Sequence, residues 1–185
     1  MNEQNKLTIY TIGHSTRLIS DFVWLLKKFG ITMLVDVRSV PRSSFNPQFN
    51  IDALPETLKN AGIGYQHIKG LGGLRHPLKS SPNTGWKNSS FRGFADYMLT
   101  EEFNENLDEL IELAKAEKVA VMCAEALPWR CHRNLISDAL VARGVRVEHI
   151  ISDKSLQPHT LNPEARVEGL KITYPAREKE TEKKE

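Results

Sequence analysis

Cysteine, histidine and arginine side chains lie close together in one short stretch of the chain, from Cys123 to Arg133. A strand, a proline turn and a helix start are predicted here, which places Cys131 near a helix N-terminus. Unpaired N–H groups and the helix dipole favour an anion at such an end. Positive charge surrounds this thiol, from Arg130, His132 and Arg133, and favours its thiolate form. Cys131 is therefore a candidate nucleophile; its alternative role is that of a small buried core residue.

Three neighbours of this thiol are further candidates. His132 is a candidate proton carrier. Cys123 directly follows a predicted buried strand, so it either contributes to a binding site or completes the core. Glu125 is a candidate acid–base group, and a salt bridge to Arg130 or Arg133 is its alternative role. We predict no metal site from these side chains, because their spacing matches no common zinc pattern, and the sequence leaves the identity of any cofactor open.

Polar residues also follow the first and second predicted strands. Asp36 and Arg38 are two positions apart, so in an extended strand both point to one face. Arg38 offers a planar fork suited to phosphate or carboxylate, and a structural ion pair with Asp36 is the alternative. His14 is a candidate base or hydrogen-bond donor, or else a structural histidine. Ser15 and Arg42 are candidate donors to the same ligand.

The elements that must position these residues alternate between strand and helix. Predicted strands cover 7–12, 31–37, 65–68, 119–122 and 145–151. Predicted helices are one with Ser20 as N-cap that ends at Gly30, one over 52–60, one over 94–114 with a break near Thr100, and one that ends at Gly144. This order predicts an α/β fold with a mostly parallel sheet and helices on both faces, a Rossmann-like three-layer arrangement. Ligands of such sheets bind beyond the carboxyl ends of the strands.

Length and composition set the outer bounds. The chain has 185 residues, which suits a single domain, predicted over 7–175, with disordered ends at 1–6 and 176–185. Two cysteines are too few for a disulfide framework. No apolar run approaches the roughly 20 residues needed to span a bilayer, and the first six residues lack the apolar stretch expected of a secretory signal. We therefore predict a cytoplasmic protein without a membrane partner.

Charge is unevenly distributed although the net charge is only +2. The segment 36–92 is basic and favours an anionic ligand, whereas 96–125 is acidic, as is typical of the solvated face of a long helix. The basic segment also supports a second hypothesis, nucleic-acid binding, with bases stacked on Tyr65, Trp86 and Phe91. A third hypothesis is a sensor or partner module without turnover.

Several short motifs carry a resemblance to a known family. They are Thr11-Ile12-Gly13-His14-Ser15, Asp36-Val37-Arg38-Ser39 with Pro41, Asn46-Pro47-Gln48-Phe49, Leu71-Gly72-Gly73, Met122-Cys123-Ala124-Glu125, Cys131-His132-Arg133, and Pro158-His159 with Ala165-Arg166-Val167. Together they resemble the family called domain of unknown function 488, from about Thr8 to Tyr174. The resemblance implies a bacterial or archaeal cytosolic α/β protein and supplies no activity. The family pattern usually has an arginine where this chain has Ser44; if that arginine binds an anion, Arg42 must compensate or binding is weaker here.

The first hypothesis is therefore an enzyme, or a ligand-binding domain, that acts on a small anionic molecule, phosphorylated or nucleotide-like. The site is expected where the parallel strands end. In this hypothesis Arg38 and Arg133 bind the anion, His14 or His132 moves protons, and Cys131 is the nucleophile or a polarising neighbour.

Overall fold

A six-stranded sheet forms the middle layer of the structure, a computed structural model that describes residues 6–176. Its strands are β1 (Thr8–Gly13), β2 (Met33–Asp36), β3 (Gly64–His67), β4 (Val119–Cys123), β5 (Arg146–Ile150) and β6 (Leu156–Pro158). They lie in the order β3-β2-β4-β1-β5-β6, and the first five of these are parallel. The predicted disordered ends lie outside the described residues, apart from Lys6 and Ala176.

Helices cover both faces of this sheet. They are α1 (Ile19–Lys28), α2 (Leu54–Asn60), α3 (Ser89–Tyr97), α4 (Glu101–Ala116) and α5 (Arg133–Ala142). Side chains alternate across each strand, so Met122 packs in the core with α1 and α2, whereas Val121 packs in the core with α3, α4 and α5. The predicted three-layer α/β fold is confirmed.

The predicted helix boundaries have mixed outcomes. The break near Thr100 is confirmed, because Thr100 caps α4 and its hydroxyl accepts a hydrogen bond from the backbone N–H of Phe103 at 3.2 Å. Gly30 follows α1 with a φ of +67°, as predicted for a residue that ends a helix. Ser20 as the N-cap of α1 is wrong. The helix begins at Ile19 after an extended Leu18, and no side chain caps it.

The prediction that 145–151 is the last strand is also wrong. The antiparallel strand β6 pairs with β5, and a separate hairpin of β7 (Arg166–Glu168) and β8 (Lys171–Thr173) follows. These strands have three residues each, too few to show a periodic pattern. After β8, the Tyr174 hydroxyl donates to the Asp138 carboxylate of α5 at 2.7 Å, which fastens this segment to the core.

The long irregular stretch over 72–88 is held in place by one buried carboxylate. Asp96 of α3 accepts hydrogen bonds from the Leu78 backbone N–H, the Ser81 hydroxyl and the Asn83 amide, at 2.6 to 2.8 Å. Because these contacts tie the stretch to α3, its fixed shape is built into the fold. The longest helix described, α4, has 16 residues, and no helix among residues 6–176 is long and apolar enough to cross a membrane.

Candidate functional site

The polar ends of β1, β2 and β4 lie side by side at one edge of the sheet. β4 is the neighbour of both β1 and β2, and all three strands are parallel. Gly13 allows the closest approach, because a Cβ at this position would overlap the backbone carbonyl of Glu125. The loops that carry the candidate residues are therefore packed directly against one another.

Two adjoining clefts open at this edge. The first, of about 360 Å³, is lined by residues that include Cys123, Cys131, His132 and Arg130. The second, of about 450 Å³, is lined by residues that include His14, Ser15, Arg42, Ser43 and Asn46. Arg38, Val40, Ala124, Glu125 and Arg130 line both. Each volume is in the range of small-molecule sites.

His132 is held beside Cys131 in one defined orientation. Its Nε2 lies 3.0 Å from the backbone carbonyl oxygen of Val37, which can only accept, so Nε2 carries the proton. Its Nδ1, which then has a free lone pair, lies 3.5 Å from the Cys131 sulfur. Gly73 packs against the ring, and a Cβ there would lie 2.6 Å from Nδ1. The imidazole is therefore oriented to take the proton of the thiol.

Cys123 and Cys131 form a close pair of free thiols. Their sulfur atoms lie 2.7 Å apart, and the Cys123 sulfur is also 3.6 Å from the Glu125 carbonyl oxygen. Hydrogen bonding from Cys123 lowers the pKa of Cys131 well below its usual value, with further contributions from His132 and Arg133. Burial raises the pKa of Cys123. These shifts favour ionisation of Cys131 over ionisation of Cys123.

Arg133 is a buried cation beneath this thiol pair and is 1 % exposed. Its guanidinium donates to Thr11 Oγ1 and to the backbone carbonyls of Glu125 and Ala126, and it makes no ion pair with a carboxylate of residues 6–176. Its backbone N–H points to the Cys131 sulfur at 3.5 Å. An unpaired buried charge is costly, so an anion nearby stabilises this arrangement. The positive charge of Arg133 helps to lower the pKa of Cys131.

A chain of hydrogen bonds runs from Arg133 away from the cleft. Thr11 Oγ1 accepts from Arg133 at 3.3 Å and lies 2.7 Å from Nδ1 of His149. Nε2 of His149 lies 2.9 Å from Nδ1 of His159, whose Nε2 lies 2.8 Å from the Asp138 carboxylate. Arginine only donates, so Thr11 Oγ1 accepts from Arg133, and a carboxylate only accepts, so Nε2 of His159 donates to Asp138.

Sequence reasoning missed Thr11, His149 and Asp138 as parts of the site. Thr11 occupies the centre of an apolar strand, and Asp138 lies within a helix of apolar periodicity. The signal that could have found them is a polar residue at a position where the pattern predicts the core, because a buried polar group needs a hydrogen-bond partner. Burial, with the charges of His159 and Arg133, lowers the pKa of His149 to about 3.

The charges of Asp36 and Arg38 pair with each other on the opposite face of the sheet. The guanidinium binds the carboxylate through Nε at 2.9 Å and Nη2 at 2.6 Å, and Nη2 also donates to the Phe49 carbonyl at 2.7 Å. Its Nη1 donates to Nε2 of His14 at 3.2 Å. The structural ion pair, one of the two predicted roles, is therefore present. One N–H of Nη1 is left for a ligand; binding of an anion by Arg38 stays a prediction.

His14 has little freedom to act as a base. It stacks on Phe49 with ring centroids 4.4 Å apart, and its Nδ1 donates to the Ser15 carbonyl at 2.8 Å. Its Nε2 accepts from Arg38, so neither nitrogen is free. Burial, with the positive charge of Arg38 as a further cause, lowers its pKa. This places His14 as a neutral residue that orients Arg38.

The remaining candidates line the clefts with fewer restraints. Arg42 is 62 % exposed and pairs with Asp52 at 2.9 Å. Ser15 adopts a positive φ of 48°, and its backbone N–H donates to the Ala124 carbonyl. Glu125 is exposed, and the predicted salt bridge to Arg130 or Arg133 is absent among the described residues. Arg133 instead donates to the backbone carbonyl of Glu125 at 2.8 Å.

The aromatic residues expected to stack on bases are engaged inside the protein. Trp86 stacks on Phe91 at 5.0 Å, and the Tyr65 hydroxyl donates to Asp36 at 2.8 Å. Nucleic-acid binding stays a prediction, but these rings already have partners inside the protein and are not free to stack on bases. Within residues 6–176 no group of three or more His, Cys, Asp and Glu side chains is arranged to hold a metal.

Fold and site together define an α/β protein with a cysteine–histidine pair in a cleft at the carboxyl edge of a parallel sheet. The chain belongs to the family described as domain of unknown function DUF488, which it matches over residues 18–140. No curated protein and no solved structure matched the chain.

Proposed function

We propose that this protein is a thiol-dependent enzyme that acts on a small anionic molecule, phosphorylated or nucleotide-like. The observation that carries the proposal is the Cys131 sulfur on the wall of a cleft, 3.5 Å from a histidine nitrogen whose ring is oriented by the Val37 carbonyl. Nucleophile, base and orienting group are the arrangement that activates a thiol.

Each residue has one role in the proposed reaction. His132 Nδ1 takes the thiol proton, and the imidazolium then donates to the leaving group. The backbone N–H of Arg133 and its buried guanidinium stabilise the thiolate. The thiolate attacks an electrophilic centre of the substrate, and a covalent adduct forms as the leaving group departs.

Charge favours an anionic substrate in the adjoining second cleft. Arg42 and Arg130 line it and are exposed, and Ser15 and Ser43 line it as well. Arg130 borders both clefts, so an anion bound here places the rest of the molecule beside Cys131. Arginine is well suited to bind phosphate or carboxylate.

Alkylation of Cys131 tests the nucleophile. We expect iodoacetamide to modify Cys131 with an apparent pKa below the ordinary value of about 8.5, measured across pH by peptide mass spectrometry. Gly73→Ala should displace the His132 ring without changing a reacting group and slow modification at neutral pH about tenfold, as a one-unit rise in pKa implies. Gly64→Ala on β3, where the added Cβ first meets the flexible end of the Met33 side chain, is the matched control. A Cys131 that reacts no faster than a thiol in the denatured chain contradicts the proposal.

Protection by anions tests the substrate class. Inorganic phosphate and a nucleoside monophosphate should slow alkylation of Cys131, and Arg130→Ala should remove this protection. Arg166→Ala, an exposed arginine on β7, should leave protection intact. Equal alkylation with and without both compounds would remove the anionic substrate from the proposal.

A further inference from the structure

Cys123 is a second thiol in the candidate site to which the proposed reaction gives no chemical step. It is 2 % exposed, and its neighbours are the Glu125 carbonyl and the Cys131 sulfur. The two sulfurs are 2.7 Å apart, so only a small shift separates them from a disulfide bond of about 2.05 Å. A thiol in this position can react most directly with Cys131 itself.

We propose that Cys131 is a site of oxidation by hydroperoxides and that Cys123 is its resolving thiol, the two closing an intramolecular disulfide. This activity goes beyond the proposed function and shares only its thiolate. Two features on the page set the order of the thiols. Cys131 has the His132 base and the Arg133 N–H, whereas Cys123 has neither.

The first step oxidises Cys131. Its thiolate attacks the terminal oxygen of the hydroperoxide, so the S–O bond forms while the O–O bond breaks. The sulfur loses two electrons and becomes a sulfenic acid, and the peroxide is reduced to an alcohol, or to water from hydrogen peroxide. The proton that His132 took from the thiol passes to the departing oxygen.

The second step uses Cys123. Its sulfur attacks the Cys131 sulfur, the S–S bond forms, the S–O bond breaks, and hydroxide leaves with the Cys123 proton as water. The Cys123 S–H reaches either the Glu125 carbonyl or the Cys131 sulfur, so it needs no long movement. A dithiol reductant returns the pair to two thiols by exchange and is itself oxidised to a disulfide.

Peroxide treatment followed by tryptic digestion under non-reducing conditions tests the pair. Cleavage after Lys118, Arg130 and Arg133 puts Cys123 in peptide 119–130 and Cys131 in peptide 131–133. We expect hydrogen peroxide to link these two peptides in the wild-type protein and dithiothreitol to release them. In Cys123→Ser, a 1,3-dione that traps sulfenic acid should label Cys131 at least about tenfold more than in wild type.

Cys131→Ser fixes the order of the steps. Peroxide should oxidise Cys123 at least about tenfold more slowly in this variant, because its own environment disfavours thiolate. Cys123→Ala replaces Cys123→Ser if the serine variant does not fold by thermal unfolding. Absence of the linked peptides, or undiminished oxidation of Cys123 in Cys131→Ser, overturns the inference. Either result together with anion-protected alkylation of Cys131 leaves the proposed function standing, whereas loss of alkylation removes the thiolate that both share.

Discussion

Two buried arginines lie at the same edge of the sheet, on opposite faces, and their charges are balanced in different ways. Arg38 is paired with the Asp36 carboxylate through two nitrogens, whereas Arg133 has only neutral acceptors among residues 6–176. The first pair is complete within the protein. The second cation has no carboxylate partner there, and its positive charge helps to lower the pKa of Cys131. A buried arginine without a carboxylate partner, such as Arg133, is therefore a better indicator of a functional site than a paired one, such as Arg38.

The largest effect is expected from Asp36→Asn, which leaves the Arg38 guanidinium buried without its counter-charge. Breaking a buried ion pair from one side costs about 3–5 kcal/mol. Urea unfolding of wild type and variant should show a loss of this size. A loss below about 1 kcal/mol, the value typical of exposed pairs, would mean that Arg38 is not balanced by Asp36.

Arg133→Met should destabilise the protein less than Asp36→Asn does, and it should lower the reactivity of Cys131. It removes a cation that has no carboxylate partner, and the loss of its hydrogen bonds costs about 1–3 kcal/mol. The pKa of Cys131 should rise, because the positive charge of Arg133 helps to lower it. Alkylation of Cys131 at neutral pH should then slow, and rates corrected for the folded fraction measure this. An unchanged rate would leave Arg133 with a structural role alone.

Acid should lower the free energy of unfolding, because His149, in the hydrogen-bond chain that leads to Arg133, is buried. His149 has a pKa of about 3 when folded, against an ordinary value of 6.5, so only the unfolded chain binds its proton between these pH values. Stability is therefore lost as pH falls from about 6.5 toward 3, by about 1.4 kcal/mol per pH unit for this group. Urea unfolding across this range measures the slope. His149→Gln should flatten it, and an equally steep slope in this variant would assign the acid sensitivity elsewhere.

The smallest effect is expected from the exposed pair of Arg42 and Asp52. Both side chains are about 60 % exposed, so water screens their attraction. Asp52→Asn should change stability by less than about 1 kcal/mol in urea unfolding. The same substitution frees Arg42, so protection of Cys131 by phosphate should persist or increase. A large loss of stability would contradict the view that the exposed pair of Arg42 and Asp52 contributes less to stability than the buried pair of Asp36 and Arg38.

Much of the fold was predictable, because it depends on local patterns. Strand and helix alternation, the apolar run of β4 and the threonine at the α4 boundary are signals within a few residues of one another. The short strands β6, β7 and β8 were not predictable, since pairing with distant partners forms them. Ser20 misled as an N-cap because α1 starts without any side-chain cap.

The candidate site divides in the same way. The residues after β1, β2 and β4 were predictable, because parallel strands present their carboxyl ends at one edge. The short distance between Cys123 and Cys131 was not, since it depends on how the loop between them folds back. Thr11 and His149 are 138 positions apart in the sequence, so no local pattern could reveal their contact.

During protein synthesis, Asp138 is made before the residues that donate hydrogen bonds to it. This residue lies within 18–140, the part that matches the family, whereas its partners His159, Asn162 and Tyr174 are made later. Until they leave the ribosome, the Asp138 carboxylate lacks all three donors, and the chain that leads to Arg133 has no acceptor at its far end. The last segment of the described chain therefore completes the hydrogen-bond chain that ends at Asp138, and a chain released before Tyr174 lacks part of it.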